Sequence, residues 1–92
     1  MNIRYSRRAL QQLEDIYAYI SNDNQTAALK VKRCIQDALD HLANMPALGR
    51  ITDRPYIYRL VITGYPCIVY YHHRSGTDDV LVMIVQHTAL EK

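Results

Sequence analysis

Ninety-two residues with a formal net charge of +2, 49% of them hydrophobic, are expected to make one small domain with a single core. Charge this mild does not by itself mark a nucleic-acid binder. The longest uncharged stretch, Leu60 to Tyr71, contains Gly64 and Pro66 and is well short of the roughly 20 residues that a membrane-spanning helix needs.

The N-terminus carries Arg4, Arg7 and Arg8 and then Glu14 and Asp15, leaving no apolar run for a signal peptide, so a soluble cytoplasmic chain is expected. Asn2 to Tyr5 reads as a first short strand. Ser6 is a good N-cap for the helix that follows, and Tyr5 ahead of it is placed to staple onto Leu10. Ala9, Leu10, Leu13, Ile16, Tyr17 and Ile20 recur at three- and four-residue steps, which predicts a helix to about Ser21. After a polar turn, Asp23 or Asn24 caps a second helix with Ala28, Val31, Ile35, Ala38, Leu39 and Leu42 on its apolar face. Pro46 ends it, because proline disfavours helical geometry in the residue before it. So short a connection predicts an antiparallel helical hairpin.

Beyond Pro46 the apolar period changes from helical to strand-like. Strands are expected at about Tyr56 to Thr63, Cys67 to His73 and Val80 to Gln86. Their connections, Gly64-Tyr65-Pro66 and Ser75-Gly76-Thr77-Asp78-Asp79, are short and rich in turn formers, so the three should pair as an antiparallel meander. The fold class expected is therefore α+β, in the order β-α-α-β-β-β. In the last strand Val80, Val82 and Ile84 should face one way and Leu81, Met83 and Val85 the other. One helical hairpin covers one face of a sheet; the second apolar face calls for a bound protein, a self-dimer, or cover by the C-terminal tail and nearby tyrosines.

The eight tyrosines must supply all the aromatic bulk, since Trp and Phe are absent, and several belong at the core edge or at an interface where the hydroxyl finds a partner. Cys34 and Cys67 form no CxxC pattern and read as reduced core residues of a cytosolic protein. Cationic residues concentrate between Arg50 and Arg74, where Arg50, Arg54, Arg59 and Arg74 stand against a single acid, Asp53, with aromatics interleaved. Arg50 leaves the Pro46-Ala47-Leu48-Gly49 loop, a placement that suits a phosphate or carboxylate partner. Arg59, on the face of Ile57 and Val61, must either pair with a buried acid or serve a site at the sheet surface. His72 and His73 point to opposite faces of a strand and cannot share one ion, so neither metal nor cofactor is expected. Lys30, Lys32 and Arg33 form either the solvated face of the second helix or the side that meets a target.

These elements resemble the RelE/ParE superfamily of bacterial toxins from type II toxin–antitoxin pairs. The residues that carry the resemblance are Tyr5-Ser6-Arg7-Arg8-Ala9 with Leu13, Ile16, Tyr19 and Ile20, then Pro46-x-x-Gly49-Arg50, Tyr58-Arg59-Leu60, Ile68-Val69-Tyr70-Tyr71 and Val82-x-Ile84-Val85-Gln86-His87. The resemblance implies a plasmid-stabilisation type of toxin with a cognate antitoxin as partner, as a homodimer or a hetero-oligomer with it. It implies an antitoxin- or target-binding surface at Arg50, Arg54, Arg59, Tyr71 and His87.

Two branches of that superfamily imply different targets. In the ParE branch the target is an enzyme such as DNA gyrase. In the RelE branch it is messenger RNA on the ribosome, cleaved by an endoribonuclease whose set here would be Arg50, Arg59 and His87, with His72 and Tyr71 as further candidates. That set is incomplete, since no lysine cluster follows the second helix and Thr88-Ala89-Leu90-Glu91-Lys92 follows His87. The ParE reading is therefore favoured over catalysis, with loss of toxicity and retention of antitoxin binding as a third possibility.

Overall fold

The computed structural model describes residues 2–46, 48–62, 67–74, 76–77 and 79–87. Met1, Ala47, Thr63 with the expected connection Gly64-Tyr65-Pro66, Ser75, Asp78 and the 88–92 tail lie outside them.

Strand β1 (Asn2–Tyr5) leads into helix α1 (Arg7–Asp23) and helix α2 (Gln25–Asn44), followed by β2 (Arg50–Ile51), β3 (Ile57–Ile62), β4 (Cys67–His73) and β5 (Asp79–His87). The α+β class and the strand–hairpin–meander order are as the sequence implies. The capping chemistry is local. Ser6 accepts the Ala9 N–H at 3.0 Å to start α1, and Asn24 accepts the Ala27 N–H at 3.1 Å to start α2. Asn24 also ends α1, its N–H going to Ile20 C=O at 2.9 Å, so a single residue turns the hairpin. Tyr5 packs on the core, whereas Leu10, its expected staple partner, is half exposed.

The sheet has five strands in the order β1-β5-β4-β3-β2. β3, β4 and β5 form the expected antiparallel meander. Two features go beyond it. β2, in a stretch expected as loop, pairs antiparallel with β3, and β1 pairs parallel with β5 through Asn2↔Asp79 to Tyr5↔Val82. β5 is thereby a central strand.

Both helices pack on one face. Ala9, Leu13 and Ile16 of α1 and Ile35, Leu39 and Leu42 of α2 meet Ile62, Cys67, Val69, Tyr71, Val80, Val82 and Val85 of the sheet. Fully burying a Leu, Ile or Val contributes about 1.5–3 kcal/mol, so this cluster dominates the stability.

The expected alternation along β5 is corrected by a bulge. Tyr70 pairs with Ile84 but Tyr71 pairs with Val82, which leaves Met83 as an extra residue. The inserted residue switches the faces, so Val80, Val82, Val85 and His87 all point at the helices while Ile84 points away. The α1 N-cap and a side chain of α1 satisfy the backbone at the irregularity. Ser6 Oγ donates to Met83 C=O at 2.7 Å, and Gln12 Oε1 accepts the Val85 N–H at 2.8 Å.

Candidate functional site

The sheet face away from the helices is built from Ile57, Arg59 and Val61 of β3, Ile68, Tyr70 and His72 of β4, and the Leu81, Ile84 and Gln86 positions of β5. It is largely half-buried. The β3–β2 side of the sheet is the more open, with Val61 56% exposed.

Arg50 and Arg59 meet here. They are directly opposed in the β2–β3 ladder, which puts both guanidinium groups on the same face. Arg59 is half-buried, and its in-register neighbours, Arg50 and Tyr70, with Ile57 and Val61 along its own strand, include no carboxylate. The first of the two outcomes expected for Arg59, a buried acid, is not found among these neighbours. Directly opposed like charges are unfavourable unless an anion joins them. The two arginines line one hollow of about 210 Å³ with Leu48, Gly49, Leu60 and Val61.

Tyr71, a candidate for partner contact, is instead fully buried on the helix face. Its ring stacks on Tyr58 with centroids 5.3 Å apart and planes 9° from parallel. Its hydroxyl donates to Pro46 C=O and accepts the Gly49 N–H, both at 2.8 Å. Burial pushes this phenol above its usual pKa, partly opposed by the Gly49 hydrogen bond. Glycine is needed at 49, because a Cβ there would come within 2.8 Å of that hydroxyl and 2.9 Å of Arg59 C=O.

Arg54 lies in the turn between β2 and β3. Ile57 N–H closes on Arg54 C=O at 3.3 Å, with Pro55 and Tyr56 at the corner. Tyr56 takes φ 64°, a conformation that glycine adopts far more readily, and the residue is 49% exposed. It is braced by Arg74, 5.5 Å above its ring, and by the His72 ring at 5.9 Å. Arg54 borders a different hollow from Arg50 and Arg59, one of about 350 Å³ with Thr52, Asp53, Ile57, Tyr70, Met83 and Ile84.

The two adjacent histidines separate as strand geometry requires. His72 is half-buried on the outer face beside Tyr56, and His73 is buried on the helix face with Nδ1 at 3.2 Å from Asp79 C=O. His87 also faces the helices. It is 6% exposed, opposite Cys67 in the ladder, with its ring 6.0 Å from that of Tyr19. Burial pushes its pKa below the ordinary histidine value. The fold therefore brings Arg50 and Arg59 together, keeps Arg54 in a neighbouring turn, and places His87 and Tyr71 on the opposite side of the sheet.

A second feature was not anticipated from the sequence. α2 and β3 flank an apolar groove of about 390 Å³, lined by Cys34, Asp37, Ala38, His41, Met45, Leu48, Leu60 and Val61. Met45, Leu48 and Val61 expose 60%, 42% and 56% of their surface. β2 pairs only with Tyr58 and Arg59, so the Leu60–Ile62 half of the β3 edge, beside this groove, has no partner strand among the described residues. The available sequence signal was Val61 sharing a face with Arg59, combined with apolar residues on both sides of Pro46.

The fold has close relatives. A chain of the chromosomal ParDE toxin–antitoxin system from P. aeruginosa superposes with a TM-score of 0.76 at 21% identity, covering 95% of each chain. A chain of the intact E. coli RelBE toxin–antitoxin complex gives 0.60 at 15% identity over 90% of each. The isolated E. coli RelE toxin gives 0.62 at 15% identity, covering 92% of this chain and 81% of that one. In sequence, Y4kP of Sinorhizobium fredii (strain NBRC 101917 / NGR234), which is named as a toxin, is 38% identical over 85 residues, 92% of this chain and 85% of its own length. Residues 3–90 match the family described as ParE toxin of type II toxin-antitoxin system, parDE, and the chain belongs to that family.

Proposed function

We propose that this ParE-family chain works by binding rather than by catalysis: it is held inactive by a cognate antitoxin in the cytoplasm and, when released, inhibits a bacterial enzyme such as DNA gyrase. The observation that carries this reading is the separation of Arg50 and Arg59 from His87. An RNA-cleaving site needs an acid–base group within hydrogen-bond reach of the nucleophile and positive charge on the same phosphate. Here the cations lie on one face of the sheet and the histidine is buried beneath the other.

Antitoxin capture is supported by the α2–β3 groove and the uncovered half of the β3 edge. Together they offer apolar anchoring positions beside unpaired main-chain groups, the combination that accepts an added strand or helix. The structural likeness to chains of a ParDE toxin–antitoxin system and of a RelBE toxin–antitoxin complex favours the same partner class.

The test is a supercoiling assay with purified gyrase, set beside a translating extract scored for cleavage of messenger RNA. Inhibited supercoiling with intact message supports the reading, and relief of that inhibition by the product of an adjacent antitoxin reading frame supports neutralisation. Cleaved message with unimpaired supercoiling would replace it with a RelE-like nuclease.

A further inference from the structure

Tyr71 is fully buried, yet both of its hydrogen bonds reach into the loop that leads to β2. Among its described residues, Leu48 N–H also closes back on Met45 C=O at 2.9 Å, which does not reach β2. β2 is two residues long, and its register is set by two pairs, Arg50↔Arg59 and Ile51↔Tyr58, the first of which joins like charges. Left to itself so short an edge strand would fray, and charge repulsion would carry Arg50 away. The hydroxyl of Tyr71 opposes this at the residue immediately before Arg50, by accepting the Gly49 N–H at 2.8 Å while donating to Pro46 C=O at 2.8 Å. The ring cannot swing aside, because it is stacked on Tyr58 and enclosed by the core.

We infer that Tyr71 is a positioning residue: its hydroxyl fixes the Gly49–Arg50 backbone so that Arg50 and Arg59 together form a site for a carboxylate side chain of a protein partner. The inference rests on the proposed capture of a protein on this side of the sheet. The hollow of about 210 Å³ shared by the two arginines is walled by Leu48, Leu60 and Val61. Those apolar walls weaken solvent screening of an ion pair formed between them. No aromatic ring lines the hollow, so a nucleotide would find no stacking surface there. An acidic side chain flanked by apolar ones matches both the two cations and the adjoining Met45–Leu48–Val61 groove.

Glutarate is the probe, titrated at low ionic strength into the full chain while the arginine Nε–Hε signals are followed by NMR. The Arg50 and Arg59 signals should move together and saturate, and the Arg54 signal should stay. Tyr71→Phe keeps the stacked ring and removes only the hydroxyl. It should weaken glutarate binding about tenfold, the size of one charge-assisted hydrogen bond. In an Arg50→Ala background the residual shift at Arg59 should be the same with or without the hydroxyl, which a merely structural role would not produce.

No loss with Tyr71→Phe, or an equal loss in the Arg50→Ala background, overturns the positioning role. Gly49→Ala breaks the same anchor from the loop side and should reproduce the loss, so the test stands if Tyr71→Phe fails to fold. Joint movement with inorganic phosphate and none with glutarate overturns the carboxylate assignment. Because glutarate is read without any partner protein, this outcome is independent of whether an antitoxin is captured.

Discussion

His87 on β5 packs its ring 6.0 Å from Tyr19 of α1, sealed under the helical hairpin and across the sheet from Arg50 and Arg59. Burial lowers its pKa below the ordinary value of 6.5. The unfolded chain therefore binds this proton at a higher pH than the folded one. The contribution to stability is fully present above pH 6.5 and declines as the pH falls from there through the lowered folded value. Melting followed by circular dichroism should show Tm falling between pH 7.5 and pH 5.5, and His87→Gln should flatten that part of the profile. An unchanged slope in the variant would mean that other groups carry the acid sensitivity.

The same residue separates binder from nuclease. His87→Ala would open a cavity beside Tyr19 and Cys67 and lower stability, which confuses any loss of activity. His87→Gln fills most of the space and cannot act as a base near neutral pH. Growth inhibition by this variant should match the parent, whereas replacing an acid–base residue costs about 10²-fold or more in rate. A folded His87→Gln chain that still binds antitoxin but no longer arrests growth would count for catalysis.

The bulge in β5 makes a stability prediction. Gln12 supplies the acceptor for the Val85 N–H, so Gln12→Leu leaves a buried donor unsatisfied at a cost of about 1–3 kcal/mol. Gln12→Glu retains an acceptor oxygen and should lose less. Urea denaturation of the two variants, compared at constant m-value, gives the answer. Equal losses would show that helix packing and not the hydrogen bond matters at this position.

The arginines should differ in weight. Arg59 is half-buried and opposed to Arg50, whereas Arg54 is exposed in a turn. Truncating one member of a desolvated arginine–carboxylate pair costs roughly 2–5 kcal/mol, while a rim arginine changes mainly the association rate. Calorimetry with the antitoxin should therefore give a larger affinity loss for Arg59→Ala than for Arg54→Ala. The reverse order would move the contact face from the β2–β3 ladder to the turn.

Much of this architecture was legible in the sequence because it is locally encoded. Ser6 and Asn24 cap their helices by contacts three residues away, and the apolar steps from Ala9 to Ile20 and from Ala28 to Leu42 follow the helical period. The strand pairings of the meander are also between neighbours in the chain. What escaped was encoded at a distance or without a pattern. Arg50–Ile51 is too short and exposed for any periodicity, and β1 finds its partner strand across most of the chain.

The bulge at Met83 escaped for a different reason. Every residue from Val80 to Val85 is apolar, so the run reads equally well in either register. Of the site, Arg50 and Arg59 could each be picked out as cations, but their pairing on one face depends on β2 and was hidden with it. Tyr71 stood out as a contact residue and not as a core one, because Tyr70 and Tyr71 are alike in sequence and only the register shows which one enters the core.

The parallel pairing of β1 with β5 ties the order of synthesis to activity. Of the described strands β1 is made first and β5 last, yet β5 lies between β1 and β4 and supplies Val80, Val82 and Val85 to the core beneath the helices. Until β5 has been translated, β1 has no neighbour and the hairpin has only part of its support. Chains stopped anywhere before Val80 should therefore be inert and quickly degraded rather than partly toxic.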